Sequence, residues 1–266
     1  LKKSSGQHLL LDQALLERIV NYGEVTKEDI VLEIGTGVGN LTELLSNDAG
    51  KVISIEKDPR LLKIAQEHLR KRKNVVLIRG DALKADFPEF TKVISNIPYG
   101  ISSPLTFKLL ERKFELGVLM YQKEFAERLV AKPGSEGYSR LTVGVNYRAD
   151  VEVLEDVPPE AFFPQPKVTS AVVRVRPRKP PFQVDDEKMF FSVVHALFQH
   201  RRQQVRNSLL HSFEQLFSGK RLQKTEKKKF IDKIIPEELA EKRVMDLPPE
   251  AFARIAELLK ELRFSP

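Results

Sequence analysis

A short apolar strand running straight into clustered glycines constrains this chain more than any other feature. Residues 30–34 (Ile-Val-Leu-Glu-Ile) lead into Gly35-Thr36-Gly37-Val38-Gly39, and residues 41–45 then begin a helix. A strand–turn–helix of this kind uses glycines because they accept φ > 0 and let a ligand lie against the backbone. The alternation continues. Residues 51–55 read as a second strand ending at Glu56, and Asp58-Pro59 reads as a helix start, with Asp as N-cap and Pro at the first helical position. Residues 74–78, 92–95 and 116–121 give three more strands, with a helix expected after Pro104. Strands and helices at this interval imply βαβ units and a mostly parallel sheet, an α/β fold. Residues 151–154 and 170–175 lack an evident helix between them and suit an antiparallel pair at the sheet edge.

Arg176-Pro177-Arg178-Lys179-Pro180-Pro181 reads as a linker, because proline interrupts both ladders and helices. Beyond it Phe190, Phe191, Val194, Leu197 and Phe198 share a helical stripe, and residues 251–262 repeat that period. Two domains are expected: residues 1–180, and a small all-helical domain over 181–266.

The charge is unevenly spread. Residues 201–233 hold ten Lys or Arg against three acids, which equals the whole net charge of +7. A local excess points to a polyanion-binding surface, with Arg201, Arg202, Arg206, Lys227, Lys228 and Lys229 as candidate RNA phosphate contacts. Charge runs are more often a solvated helix face, but here one segment contains the entire excess. The absence of cysteine excludes disulfides and thiolate metal sites, and five scattered histidines offer no ligand spacing, so no metal is expected. Leu9-Leu10-Leu11 is cut short by Asp12, Glu17 and Arg18, too charged for a secretory segment, and no long apolar run suggests a membrane span. A cytoplasmic monomer is expected.

The ligand at the glycine loop is narrowed by its neighbours. The spacing is G-x-G-x-G, and Asn40 stands where the dinucleotide fingerprint needs its third glycine. Glu33, before the loop, offers a carboxylate for an amino-bearing ligand. Glu56 can accept hydrogen bonds from both hydroxyls of a ribose. Asp81, in Gly80-Asp81-Ala82-Leu83 after the third strand, can accept from the N6 amine of a cofactor's adenine. Together these select S-adenosylmethionine over a nicotinamide cofactor.

Asn96-Ile97-Pro98-Tyr99 follows the fourth strand and carries the specific chemistry. The N6 lone pair of adenine is delocalised into the ring, so the amine is a poor nucleophile. Two acceptors, the Asn96 side-chain oxygen and the Ile97 carbonyl, can take its two N–H groups and turn the lone pair toward a methyl donor, with Pro98 stiffening the turn. Tyr99 offers a face on which an extruded base can stack. An Asn-x-Pro-Tyr stretch can also be a plain strand-to-helix turn; its place downstream of the glycine loop favours the chemical reading.

With these motifs in order, the chain resembles the small-subunit ribosomal RNA adenine N6,N6-dimethyltransferase family. The resemblance runs almost end to end, through Gly6-Gln7-His8-Leu9-Leu10, the glycine loop, Gly80-Asp81-Ala82, Asn96 to Ser102, Val157 to Val168 and the Arg201-Arg202 to Leu209 stretch. It implies a Rossmann-like class I methyltransferase sheet with helices on both faces and a helical C-terminal domain. It implies cofactor contacts at His8, Leu10, Gly35, Gly37, Glu56, Asp81 and Asn96, with catalysis at Asn96, Pro98, Tyr99 and Phe163. In that reading Phe163 sandwiches the target base against Tyr99. The implied substrate is a pair of adjacent adenines in a hairpin near the 3′ end of small-subunit rRNA, each receiving two methyl groups, and the implied partner is a small-subunit precursor. His8 stands where bacterial members commonly carry Asn. Methylation of another adenine, in large-subunit rRNA or DNA, and an assembly factor without catalysis are the competing readings. Intact Glu56, Asp81, Asn96 and Tyr99 oppose the last.

Overall fold

Among the described residues the strands Val75–Arg79, Lys51–Glu56, Ile30–Ile34, Lys92–Asn96, Leu116–Gln122, Ser170–Pro177 and Ala149–Val157 lie side by side in one sheet, in that order. The computed structural model describes residues 8–217 and 222–260. Gly6 and Gln7 of the N-terminal motif, and Leu262 of the last helical stripe, lie outside the described residues. By internal contacts the chain forms two units, Leu1–Glu127 with Ala149–Arg178, and Arg128–Arg148 with Lys179–Pro266.

In the first unit, β1 (Leu9–Leu10) and α1 (Gln13–Tyr22) precede β2 (Ile30–Ile34), α2 (Asn40–Asp48), β3 (Lys51–Glu56), α3 (Pro59–His68) and β4 (Val75–Arg79). Then come β5 (Lys92–Asn96), α4 (Ser102–Leu110), β6 (Leu116–Gln122) and the start of α5 (Lys123–Leu129). After the excursion into the second unit, β7 (Ala149–Val157), β8 (Phe162–Phe163) and β9 (Ser170–Pro177) complete it. The strands β2 to β6 pair in parallel, and β9 pairs antiparallel with both β6 and β7, so the expected edge pair is present. Val31, Leu32, Val93, Ile94 and Val118 are buried on these central strands, which explains their unbroken apolar runs in place of alternation. Edge strand β4 leaves Val76 40% exposed. The order reverses between β2 and β5, and open α/β sheets hold ligands at such a switch point, beyond the carboxyl ends of the strands.

Local chemistry sets the helix ends. The Asp58 side chain accepts from the Arg60 N–H with Pro59 opening α3, as its sequence predicts. Helix α4 begins at Ser102, ahead of the start expected after Pro104. Pro104 fits there because the N–H groups of a first turn have no intrahelical partner to lose. Helix α1 is missing from the sequence reading, although its buried Leu15, Leu16, Ile19 and Val20 carry helical spacing.

The second unit contains α6 (Arg140–Arg148), α7 (Glu187–Phe198), α8 (Val205–His211), α9 (Phe213–Leu216), α10 (Lys224–Ile234), α11 (Glu237–Ala240) and α12 (Pro249–Lys260). Phe190 and Leu197 of the expected stripe are fully buried in its core, and Phe198 stacks on Phe252 with ring centres 5.3 Å apart. A single boundary at residue 180 misplaces Arg128–Arg148. Tyr138 and Tyr147 decide this. Tyr138 is completely buried and donates its hydroxyl to the Leu247 carbonyl at 2.7 Å, and Tyr147 lies among Phe182, Phe190 and Phe191.

Candidate active site

Two loops meet at the switch point, one after β2 and one after β5. The first is the glycine loop, in which Gly35 and Gly37 have φ of +86° and +59°. A Cβ on Gly37 would come within 2.9 Å of a terminal methyl of Leu9, which can move aside, so it is the left-handed backbone angle that favours glycine there. The loop is fastened from β3. Glu56 is buried at that strand's end, where Oε2 accepts the Gly37 N–H at 3.0 Å and Oε1 accepts the Asp58 N–H at 2.7 Å. Each oxygen keeps a lone pair for a ligand hydroxyl.

Glu33 sits below the loop, where Thr42 and Ser54 both donate hydroxyl hydrogens to its Oε2 at 2.6 Å. Burial pushes this carboxyl up to about 7, against the pull of those two donors. Its engaged oxygen braces α2 against β3, a structural role beside the ligand-holding one read from sequence.

Asp81 lies beyond β4. Its Oδ2 accepts from Lys57 Nζ at 2.9 Å and its Oδ1 from the Leu83 N–H at 3.0 Å, and chiefly the Lys57 ammonium holds it below the usual carboxylate range.

The second loop is Asn96-Ile97-Pro98-Tyr99. Asn96 ends β5, and its Nδ2 donates to the His8 carbonyl at 3.3 Å. The amide is thereby oriented, and its Oδ1 has no partner among the described residues. Ile97 is buried and spends its N–H on the Met120 carbonyl at 3.1 Å. Pro98, at φ −58°, sends the chain into a 3-10 turn over Tyr99–Ile101. The Tyr99 hydroxyl shares a hydrogen bond of 2.6 Å with Ser170 on β9, which fixes the ring. His8 donates from Nδ1 to the Pro164 carbonyl at 2.6 Å, and its ring lies 5.6 Å from that of Tyr99.

One cavity of about 670 Å³ is lined by His8, Leu10, Gly35, Gly37, Glu56, Asp81, Asn96, Pro98 and Tyr99, among others. Its size suits a nucleoside cofactor. Glycines that admit a ligand to the backbone, one acid at the end of β3 and a second after β4 fit S-adenosylmethionine. Phe163 does not line this cavity. It is 62% exposed on β8, paired with Leu9 of β1, and the ring facing Tyr99 is that of His8. Ser170 and Lys57 escaped the sequence reading. Lys57 directly follows Glu56, but only the β6–β9 pairing brings Ser170 to Tyr99.

The model of the ribosomal RNA adenine dimethylase family matches residues 1–261. The chain belongs to this family. Among similar proteins, the probable ribosomal RNA small subunit methyltransferase A of Methanosarcina acetivorans is 48% identical over 97% of this chain and 93% of its own length. The protein of the same description from Thermococcus onnurineus is 47% identical over 96% of this chain and 91% of its own. Of solved structures, the dimethyladenosine transferase of Plasmodium falciparum aligns with a TM-score of 0.80 and 32% identity, covering 96% of this chain and 98% of that one. The 23S rRNA methyltransferase ErmE aligns at 0.68 and 30%, covering 95% and 99%.

In this adenine dimethylase the expected RNA contacts fall into two groups. Arg201 donates to the Glu136 and Tyr138 carbonyls, Arg206 pairs with Asp232 at 2.6 Å, and Lys227 pairs with Glu214 at 2.9 Å. These three cations hold the second unit together. Arg202, Lys228 and Lys229 are exposed and have no partner among the described residues.

His68 adds a pH dependence to the dimethylase fold. Its Nδ1 lies 2.9 Å from the Val38 carbonyl of the glycine loop and its Nε2 2.9 Å from Glu43, two acceptors that only the doubly protonated ring satisfies together. The Val38 carbonyl first, then Glu43, raises its pKa above the usual 6.5, against desolvation and the nearby Arg72, which also pairs with Glu43. The stability contributed by His68 is therefore fully present below about pH 6.5 and lost as pH rises through the higher folded value. The urea midpoint of the wild type minus that of His68→Gln is expected to shrink across this window; a constant difference would contradict the coupling.

Proposed function

We propose that this chain methylates N6 of two adjacent adenines in a hairpin near the 3′ end of small-subunit rRNA, giving N6,N6-dimethyladenosines on a small-subunit precursor. The chain is an S-adenosylmethionine-dependent rRNA adenine dimethyltransferase; the position of the adenines, the precursor, a monomeric state and action in the cytoplasm are the proposed parts. Bound S-adenosylmethionine supplies an electrophilic methyl group on a sulfonium. The single observation that carries the chemistry is Asn96, whose Nδ2 is held by the His8 carbonyl so that its Oδ1 is left to accept. Asn96 Oδ1 and the Ile97 carbonyl take the two N–H groups of the target amine and draw its lone pair out of conjugation. Tyr99, tethered through Ser170, provides the stacking face for the extruded base. No general base is needed, since the methylated amine loses its proton afterwards.

The test is incubation with undermethylated small subunits and labelled cofactor, followed by mapping of the modified nucleotides. Label on two adjacent adenines of the 3′ hairpin is expected. Label confined to large-subunit rRNA, the substrate in ErmE's description, would overturn the substrate assignment. Among the described residues no helix is long and apolar enough to cross a membrane.

Arg202, Lys228 and Lys229 are the proposed phosphate contacts. Changing all three to Gln is expected to flatten the slope of log affinity against log salt by roughly 2–3. Lys227→Gln alone should leave that slope near the wild-type value, because Lys227 is committed to Glu214 and only 16% exposed. An unchanged slope in the triple variant would remove this face from the interface.

A further inference from the structure

Lys108 stands in the last turn of α4. Its Nζ donates to three backbone carbonyls of one short turn, those of Ala82 at 2.8 Å, Leu83 at 3.1 Å and Ala85 at 2.5 Å. An ammonium has three N–H groups and accepts nothing, so these three carbonyls satisfy it completely. The same Nζ lies 4.4 Å from the centre of the Phe87 ring, whose face attracts a cation. The gripped turn begins at Asp81, whose carbonyl accepts the N–H groups of Lys84 at 2.9 Å and Ala85 at 2.8 Å while its Oδ1 accepts that of Leu83. Asp81 and Ala82 line the cavity from this turn. At its other end α4 grows out of the Tyr99–Ile101 turn, where Ser102 Oγ donates to the Tyr99 carbonyl at 3.1 Å. One helix thus carries the methyl-transfer turn at its start and a grip on the Asp81 turn at its end.

We propose that Lys108 is a positioning residue that fixes the 81–85 turn against the cofactor's adenine and so sets selectivity for adenine over other purines in the cofactor. The inference rests on the reading of Asp81 as acceptor of the cofactor's own N6 amine. Without the ammonium, three converging carbonyls lose their common donor. The turn then relaxes toward water, and Asp81 no longer meets the base at a defined distance.

Calorimetric titration with S-adenosylhomocysteine and with S-inosylhomocysteine, which has a carbonyl oxygen in place of the N6 amine, separates the two readings. The wild type is expected to favour the adenosyl compound by about 10–100-fold, the worth of a hydrogen bond to a charged group. Asp81→Asn should erase that preference. A wild type without preference sinks the Asp81 reading, and the Lys108 inference with it. Lys108→Met is expected to bring the ratio to within about threefold of unity. A general loosening of the fold would weaken both compounds alike and leave the ratio unchanged. A full wild-type ratio in Lys108→Met, with Asp81→Asn still erasing it, overturns the Lys108 inference alone. Should Lys108→Met fail to fold, Lys108→Arg carries the test. Its planar fork keeps the charge but not the three-point fit, so an intermediate ratio is expected, and a wild-type ratio overturns the proposal.

Discussion

Asn96→Ala is expected to lower kcat by on the order of 10²–10³-fold, the range seen when one preorganised hydrogen-bonding group is removed from a reacting centre. The loss follows from the two-acceptor arrangement. With only the Ile97 carbonyl left, one N–H of the target amine is held and the lone pair stays conjugated with the ring. Affinity for S-adenosylhomocysteine should fall by less than about tenfold, since a single neutral hydrogen bond contributes roughly 1 kcal/mol. Single-turnover transfer of labelled methyl, beside calorimetric titration of S-adenosylhomocysteine, separates these effects. Wild-type kcat in the variant would remove Asn96 from the chemistry. Asn96→Asp sharpens the comparison, because it keeps an acceptor and loses the Nδ2 donor that the His8 carbonyl orients.

Glu56→Ala is expected to produce the opposite division. Its carboxylate accepts backbone N–H groups from Gly37 and Asp58 and stands where a ribose diol would be received. Removing it frees the glycine loop and deletes the ligand's acceptors together. Hydrogen bonds to charged groups contribute about 1.5–3 kcal/mol, so cofactor affinity should weaken by roughly 10–100-fold. At saturating cofactor kcat should recover most of its value, since Glu56 lies on the cofactor side of the cavity and not at the Asn96 turn. The variant's KM for S-adenosylmethionine, with kcat extrapolated to saturation, checks this; an unchanged KM would remove Glu56 from the cofactor site.

The parallel strands were legible in the sequence because burial on both faces demands continuous apolar runs, and 30–34 and 116–121 have little else to be. Two-residue strands such as β1 and β8 carry no period at all, so the pairing of Leu9 with Phe163 has no sequence signal. The glycine loop and the Asn96 turn were legible for the opposite reason, since each packs its chemistry into four or five consecutive residues. What fixes them comes from far along the chain: Ser170 for Tyr99, His8 for Asn96, Lys108 for the Asp81 turn. The basic segment was legible as a charge sum and misleading as a list of contacts. Counting charges cannot show that Arg206 is neutralised by Asp232 or Lys227 by Glu214.

The excursion of Arg128–Arg148 into the second unit bears on how the protein can be dissected. A fragment ending at residue 178 would look like a complete cofactor-binding unit in linear sequence. It would nevertheless carry Tyr138, Val143 and Tyr147, all buried among the C-terminal helices in the intact protein, as a stranded apolar patch open to self-association. The mirror-image fragment from 179 onward would lack the same three side chains and hold a void in their place. Neither half is separable by one cleavage, so a soluble catalytic fragment requires replacing 128–148 with a short polar turn.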